Sequence, residues 1–364
     1  MPRPLGGGVG LTVLINAGPW LPVPPVDYGG VENVLAHLIP GLRRHGFRVV
    51  LSTVGSSTIP VDRKIWTFAD GQLDKLTGPL CDHVGVAHAH MHQTLAAITA
   101  GADVDLVHDH LEVVGPSMLS LLGDGAPPVI HTLHWGVERH REFYATFTSR
   151  APFHFLGVSE SQLARVHPNI ARRSLGAVSL GVDVARFRHG ATKQGYYLTL
   201  GRVNADKGTD IAARVCRRLG LRLRMAGPVG AADARFYRDR ILPHEDGDAI
   251  RWLGPVGHVT RDELLAHATA LLAPVRFEEP GGLVAIEALA SGTPVIATRR
   301  GVLPTIVEHG ITGFLARDEE EFASLVPRAA EIDPVACRRA AEERFSATAM
   351  TERHVELYRK VLGC

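Results

Sequence analysis

The chain has 364 residues, a length typical of two domains, and its 39 Lys and Arg nearly balance its 38 Asp and Glu. This balance argues against a general nucleic-acid-binding protein, which needs a basic surface. The four cysteines form no CxxC pair, which disfavours a zinc site or disulfide framework and fits a reducing compartment. No apolar stretch has the length of a membrane span, and the start lacks a signal-peptide core. We therefore expect a cytoplasmic protein without an integral membrane segment; peripheral membrane contact is compatible with the composition.

The hydrophobic pattern predicts an α/β fold. From residue 11 onward, short apolar runs alternate with longer stretches of helical spacing, which is typical of βαβ units on a parallel sheet. The first series ends near the polar, glycine-bearing residues 179–195, and a second series starts at Tyr196. We expect two doubly wound, Rossmann-like domains joined at this linker, with ligands bound between the carboxyl ends of their strands.

The most informative segment is RFEEPGGLVAIEALASGTP, residues 276–294. It predicts a strand end, a Pro-Gly-Gly turn and a helix whose first backbone N–H groups suit a phosphate. Gly281 and Gly282 would let the backbone approach that phosphate closely. Glu279 precedes the helix, whereas Glu287 lies inside it among apolar neighbours, where a carboxylate needs a partner such as a ribose diol. The alternative is that both carboxylates are solvated on the surface.

A second segment, LTLGRVNADKGTDIAARV, predicts two cations at the carboxyl edge of the second sheet. Arg202 directly follows a predicted strand, and Lys207 directly precedes a predicted helix. Together they could neutralise a diphosphate without a metal ion, although both could equally be ordinary solvated cations. With the Pro-Gly-Gly helix, the same diphosphate would be held from two sides.

These segments, in this order, resemble the retaining GT-B glycosyltransferases of family 4 (glycosyl transferases group 1). The resemblance extends over most of the chain and includes YGGVE, HTLH, SLGVDVARF and GVLPTIVEHGITGFL. It implies an acceptor-side domain over residues 1–185, a nucleotide-sugar-binding domain over 186–346, and a final helix over 347–364 that returns to the first domain. It also implies retaining transfer from an NDP-sugar, UDP- or GDP-linked, to a small-molecule, glycan or lipid-linked acceptor, with no metal or other cofactor.

The resemblance further assigns roles to individual residues. Arg202 and Lys207 would hold the diphosphate, and Glu287 would bind the ribose. Glu279 would contact the donor sugar, and His134 would lie close to its reacting carbon. The residues whose backbone would line the diphosphate and sugar are Gly29, Gly30, Gly281, Gly282 and Leu283.

The sequence departs from the family pattern in three places. Gly281 replaces a residue that is usually aromatic, which leaves the preferred donor sugar open. Thr305 stands where an acidic residue is usual, so we assign no acid there. Leu180 stands where Asn is usual, and we treat this as a structural difference.

Histidine is abundant, with 19 residues. The HAHMH run, residues 88–92, is expected on a partly exposed helix, where His90 would point away from the two flanking histidines and spoil a metal site. His108, Asp109 and His110 end a predicted strand at the cleft. They are our candidates for contacts with the acceptor.

Two other functions remain compatible with the sequence. A sugar-nucleotide epimerase or hydrolase on the same scaffold would use the donor site without an acceptor pocket. A non-catalytic nucleotide-sugar-binding protein would need no reacting groups. The presence together of Arg202, Lys207, Glu279 and Glu287 argues against a degenerate, inactive copy.

Overall fold

The computed structural model describes residues 10–27, 29–77, 80–101, 103–190 and 192–364, which form two α/β domains, each built on a parallel sheet. This confirms the predicted fold class. The start of the chain, on which the expectation about a signal peptide depends, and Tyr28 of the YGGVE segment lie outside the described residues. Among the helices that are described, none is long and apolar enough to cross a membrane.

The first domain has seven described strands. They are β1 (Thr12–Asn16), β2 (Arg48–Thr53), β3 (Arg63–Trp66), β4 (Leu106–Asp109), β5 (Val129–Leu133), β6 (Phe153–Gly157) and β7 (Ser174–Ala177). Their order in the sheet is β3-β2-β1-β4-β5-β6-β7. The helices of this part of the chain are α1 (Gly30–Arg44), α2 (Leu80–Thr99), α3 (Val114–Leu119), α4 (Arg141–Thr146), α5 (Glu160–Leu163) and α6 (Pro168–Ala171).

The second domain has six described strands. They are β8 (Tyr196–Leu200), β9 (Arg222–Ala226), β10 (Ile250–Trp252), β11 (Ala270–Ala273), β12 (Val295–Thr298) and β13 (Gly313–Ala316), in the order β10-β9-β8-β11-β12-β13. The helices are α7 (Thr209–Leu219), α8 (Ala234–Arg240), α9 (His258–His267), α10 (Leu283–Ala290), α11 (Leu303–Ile306), α12 (Glu319–Leu325), α13 (Pro334–Arg344) and α14 (Ala347–Leu362).

The central strands are buried on both faces, which is typical of parallel sheets covered by helices. All five residues of β1 are buried, and so are all four of β4. The strand order reverses between β1 and β4 and again between β8 and β11, so each sheet has a crevice at the carboxyl end of its first strand. The segments that follow β1, β8 and β11 carry many residues of the site, and others follow β9 and β10.

The last helix, α14, packs against the first domain. Thr351 lies against Gly41 of α1, where an added Cβ would come within 2.2 Å of the threonine hydroxyl. Tyr358 is fully buried, and its hydroxyl is 2.5 Å from His108 Nδ1 in β4. The chain crosses between the domains twice at one place, because Val182 donates to Phe345 and accepts from Ala347 through backbone hydrogen bonds of 2.9 and 2.7 Å.

Candidate functional site

A cavity lies between the two domains at the carboxyl ends of the strands. Its wall from the first domain includes Asp27, Gly29, Gly30 and Asn33. The side chains and loops that the second domain contributes include Thr199, Gly201, Arg202, Lys207, Thr209, Gly227, Val256, Arg261, Glu279, Gly282, Leu283 and Glu287. Eight of the residues predicted for the donor are therefore brought to one cavity, namely Gly29, Gly30, Arg202, Lys207, Glu279, Gly282, Leu283 and Glu287.

Lys207 and Glu279 meet across two loops. Lys207 Nζ donates to Glu279 Oε2 at 2.5 Å and also lies 4.9 Å from the centre of the Phe277 ring. The close approach of the loops requires Gly208, which has φ +66° and would place a Cβ only 1.9 Å from the Pro274 carbonyl oxygen. The cation expected at the diphosphate is thus held against the carboxylate expected at the sugar.

Arg276 fixes the relative position of these two loops. Its backbone N–H donates to the Asp206 carbonyl at 2.7 Å, and its Nη1 donates to the Ala205 carbonyl at 2.8 Å. Its guanidinium also forms a two-bonded pair with Asp210, at 2.6 and 2.7 Å. Because paired hydrogen bonds set both distance and orientation, Arg276 constrains the geometry in which Lys207 and Glu279 meet.

The Pro-Gly-Gly turn leads into α10 as predicted. Gly282 has φ +62°, in the left-handed region that favours glycine, and α10 begins at Leu283. The first N–H groups of a helix have no acceptor within it, and here they are at the cavity. This part of the wall can therefore donate hydrogen bonds to an anion.

Glu287 is buried at the cavity with its hydrogen-bonding capacity unused. It is 1% exposed, and neither carboxylate oxygen has a hydrogen-bond partner among the described residues. Arg261 Nη1 lies 3.3 Å from Glu287 Oε1. Burial raises the pKa of Glu287 to about 7, and the positive charge of Arg261 partly opposes this shift. No sequence motif marked Arg261, and sequence reasoning missed it.

The two departures from the family pattern around the donor are in contact with each other. A Cβ at Gly281 would lie 2.6 Å from Leu180 Cδ1 and 3.6 Å from Val158 Cγ2. Leu180 therefore occupies the space into which a side chain at position 281 would extend. Gly281 itself does not line the cavity, unlike Gly282 and Leu283.

His134 directly follows β5 and is partly buried outside the cavity. Its Nε2 is 2.8 Å from His110 Nδ1, and Gln162 Nε2 donates to the backbone carbonyls on either side of it, at 2.9 and 2.8 Å. Burial lowers the pKa of His134 to about 3, so the imidazole is neutral near pH 7. The predicted proximity of His134 to the reacting sugar stays a prediction.

The structure buries His108, Asp109 and His110, and their predicted contact with the acceptor stays a prediction. His108 and Asp109 are 0% exposed and His110 is 2% exposed. Their side chains bond within the protein: His108 to Tyr358, and Asp109 Oδ1 to Asn16 Nδ2 at 2.6 Å. These bonds hold β4 to its neighbours and to α14, whereas His110 Nε2 is buried without a hydrogen-bond partner among the described residues.

Two side chains of the first domain bond to the loop that carries Glu279. Ser159 Oγ donates to the Pro280 carbonyl at 2.7 Å in a buried contact. Arg165 Nη1 lies 3.0 Å from Glu278 Oε2 and so forms an ion pair across the cleft. The donor-side loop is therefore held by both domains.

The HAHMH run lies on α2, with His90 buried and His88 and His92 exposed. Within the described part of the chain, no group of three or more His, Cys, Asp or Glu side chains is placed to hold a metal ion. His90 instead bonds to Asn16 Oδ1 at 2.7 Å.

Comparison with known families gives two matches that together extend over residues 28–344. The family described as "Glycosyltransferase Family 4" matches residues 28–186. The family described as "Glycosyl transferases group 1" matches residues 182–344. The boundary between the two matches coincides with the linker, where Val182 bonds to Phe345 and to Ala347, the first residue of α14.

Individual proteins are similar over most of the chain. The D-inositol 3-phosphate glycosyltransferase of Mycolicibacterium smegmatis is 27% identical, over 87% of this chain and 82% of that protein. A glycogen synthase of Mycobacterium tuberculosis is 28% identical, over 89% of this chain and 88% of that protein. The crystal structure of AviGT4, a glycosyltransferase involved in avilamycin A biosynthesis, is 26% identical with a TM-score of 0.70, over 97% of this chain and 98% of that one.

Proposed function

The chain belongs to the family-4 type of GT-B glycosyltransferases, and from this premise we propose that it transfers a sugar from a nucleoside-diphosphate sugar to an acceptor hydroxyl, with retention of configuration and without a metal ion. The observation that carries the proposal is the convergence of Lys207, Glu279, Glu287 and the start of α10 on one cavity between the domains. UDP- or GDP-linked sugars are the proposed donors.

In this proposal the diphosphate is bound by Arg202, Lys207 and the first N–H groups of α10. Arg202 is exposed at the cavity and can present its planar donors to a phosphate. Lys207 changes partner when a diphosphate arrives, since Glu279 now occupies it at 2.5 Å. Glu279 is then released to accept hydrogen bonds from the hydroxyls of the donor sugar.

The reaction breaks the bond between the anomeric carbon and the β-phosphate oxygen and forms a bond from that carbon to the acceptor oxygen. Negative charge grows on the departing diphosphate, where cations and fixed N–H groups stabilise the transition state more than the ground state. The acceptor attacks from the face that the diphosphate leaves, and its proton passes to a phosphate oxygen. A neutral His134 fits this scheme, because it can donate or accept a hydrogen bond without adding charge.

The test is calorimetric titration of the protein with UDP, GDP, ADP and dTDP, each with and without EDTA. We expect micromolar binding of one nucleotide, unchanged by EDTA and at least about tenfold weaker in Lys207→Ala, since a charge-assisted contact to phosphate is lost. Lys360→Ala is the matched control, because it removes an exposed lysine of α14 away from the cavity.

The two possible failures are distinct. Binding that disappears with EDTA would overturn metal independence while leaving the donor site in place. Binding that is equally weakened in Lys207→Ala and Lys360→Ala, or absent for all four nucleotides, would overturn the assignment of the diphosphate site.

A further inference from the structure

Glu287 is almost completely buried. Its carboxylate contacts one charged neighbour and faces the cavity between the domains. Its carboxylate is contributed by α10, and the one cation within 4 Å among the described residues is Arg261 of α9. Arg261 is itself buried, with 8% of its surface exposed, and both residues line the cavity. A buried carboxylate and a buried guanidinium on adjacent helices are costly unless they serve each other or a ligand.

We propose that Arg261 is a positioning residue that orients the Glu287 carboxylate to accept hydrogen bonds from both hydroxyl groups of the nucleotide ribose. The inference rests on the proposed function, because it needs a ribonucleotide in the cavity. It adds to that function a second buried residue on which recognition of the ribose depends.

The geometry of the pair assigns different tasks to the two carboxylate oxygens. Arg261 Nη1 approaches Oε1 at 3.3 Å, whereas no described donor bonds to Oε2. A cation on one side favours one orientation of the carboxylate, and the remaining acceptor positions have no partner among the described residues. Since a carboxylate has about four acceptor positions, it can serve the guanidinium and two hydroxyls together.

The Arg261 side chain is also incompletely bonded. Its Nε is buried without a hydrogen-bond partner among the described residues, although Asp262 Oδ1 lies 3.5 Å away. The 3.3 Å contact to Glu287 meets the distance of an ion pair but not the geometry of a hydrogen bond. The pair is therefore loose, and a bound ribose would complete its bonding.

Charge explains why the arginine is needed. Burial raises the pKa of Glu287 to about 7, the negative Asp262 adds to this rise, and the positive charges of Arg261 and Arg186 oppose it. The ionised carboxylate accepts from both hydroxyls, whereas the protonated form uses one oxygen as a donor. Arg261 therefore favours the form of Glu287 that binds the diol, and Arg186 acts in the same direction.

The experiment measures the affinities of UDP and GDP and of their 2′-deoxy forms for the wild type and for Arg261→Met, Arg261→Lys and Glu287→Gln. In the wild type we expect the ribonucleotide to bind at least about tenfold more tightly than the deoxynucleotide, because the deoxynucleotide lacks one hydrogen bond to a charged group. In Arg261→Met the ratio should fall to about two, and Arg261→Lys should restore part of it. Adding Arg261→Met to Glu287→Gln should change the ratio no further.

The pH profile separates positioning from a general loss of structure. In the wild type the ratio of the two affinities should rise as pH increases through about 7, because Glu287 ionises there. In Arg261→Met the rise should move to higher pH, since the opposing positive charge is gone. Comparing ribo with deoxy forms cancels the titration of the diphosphate itself.

Each outcome has a separate meaning. A wild-type ratio and pH profile in Arg261→Met, with the ratio lost in Glu287→Gln, would overturn the inference about Arg261 and leave the donor site standing. An unchanged ratio in Glu287→Gln would overturn the ribose role of Glu287 in the proposed function. Should Arg261→Met fail to fold, Arg261→Lys decides: a ratio below the wild-type value in folded protein agrees with positioning by the guanidinium, and a wild-type ratio and pH profile contradict it.

Discussion

Because Lys207 is bonded to Glu279, the Glu279 carboxylate and the diphosphate compete for Lys207 in the proposed mechanism. In the structure the carboxylate holds the cation that the proposed mechanism needs at the diphosphate. We predict that Glu279→Gln binds UDP or GDP as tightly as the wild type or a few-fold more tightly, because Lys207 loses its internal partner. Turnover of the sugar nucleotide should fall by about a hundredfold, since contacts to the reacting sugar are lost.

Titration calorimetry and an initial-rate assay with a sugar nucleotide would measure the two effects separately. Glu278→Gln is the matched control at the neighbouring position: its side chain bonds to Gly301 and Arg165 rather than to Lys207, so turnover should fall only a few-fold and nucleotide affinity should not change. Nucleotide binding that weakens in Glu279→Gln by tenfold or more would contradict the competition between carboxylate and diphosphate.

At the scale of single residues, the sequence was informative where a role depends on local context. Gly282 and Glu287 belong to one turn and helix, and their positions were read directly from the spacing of the segment. Arg261 lies elsewhere in the chain and reaches Glu287 only through the packing of α9 on α10. His108 was predicted at the correct end of its strand. Its burial depends on Tyr358 of α14, which is 250 positions further along the chain and could not be connected with it from local sequence.

Among the elements, the turn into α10 depends on a backbone conformation that only glycine adopts readily. At Gly282 the φ of +62° and an Ile306 Cδ1 atom 2.4 Å from the added Cβ both oppose a side chain. We predict that Gly282→Ala lowers the free energy of unfolding by about 1–2 kcal/mol and weakens nucleotide binding, because the start of α10 must shift.

Thermal unfolding followed by circular dichroism, together with nucleotide titration, would check this. Gly85→Ala is the control, because Gly85 lies within α2 with no atom within 4 Å of an added Cβ. That substitution should raise stability by about 0.5–1 kcal/mol. Gly282→Ala with wild-type stability and affinity would show that the turn tolerates another conformation.

The elements that sequence reasoning identified are those with long buried runs, such as β1, β8 and α10. Among the elements that it did not identify separately are β3, β7, β13 and α13. β3 and β7 are four-residue strands at the two edges of their sheet, and none of their residues is buried. Helix α13 buries only Cys337, Ala340 and Ala341, so its apolar face is too small to stand out from the charged residues around it.

For the molecule as a whole, the ion pair between Arg165 and Glu278 links the first domain to the loop that carries Glu279. We predict that Arg165→Met lowers turnover about two- to fivefold, in line with the modest strength of a partly exposed ion pair, and leaves nucleotide affinity unchanged. The reason is that the proposed nucleotide contacts belong mainly to the second domain, whereas transfer needs both domains in register.

A double-mutant cycle would test this link. Arg165→Met combined with Glu278→Gln should be no slower than the slower single variant, because both remove the same contact. Glu138→Gln is the control, since Glu138 is bonded to Arg165 Nε at 2.7 Å within the first domain and does not cross the cleft. If the factors by which Arg165→Met and Glu278→Gln lower turnover multiply in the double variant, the two residues do not act as a unit.

The two domains and the cleft between their carboxyl ends were expected from the hydrophobic pattern, whereas the return of the last helix to the first domain was expected from the resemblance to a family. The return of the chain through α14 belongs to the same level of organisation. Its contacts with α1 and with His108 join the last residues of the sequence to the first sheet.

That return has a consequence for recombining this protein with its relatives. A chimera that exchanges acceptor-side halves at the linker near Val182 would separate α14 from the α1 and β4 surfaces against which it packs. The hybrid would then present a foreign helix to Gly41 and His108. The exchange should succeed when the donated half brings its own α14, which requires a second junction at Ser346. Ser346 is paired with Val182 in space, although the two are 164 positions apart in sequence.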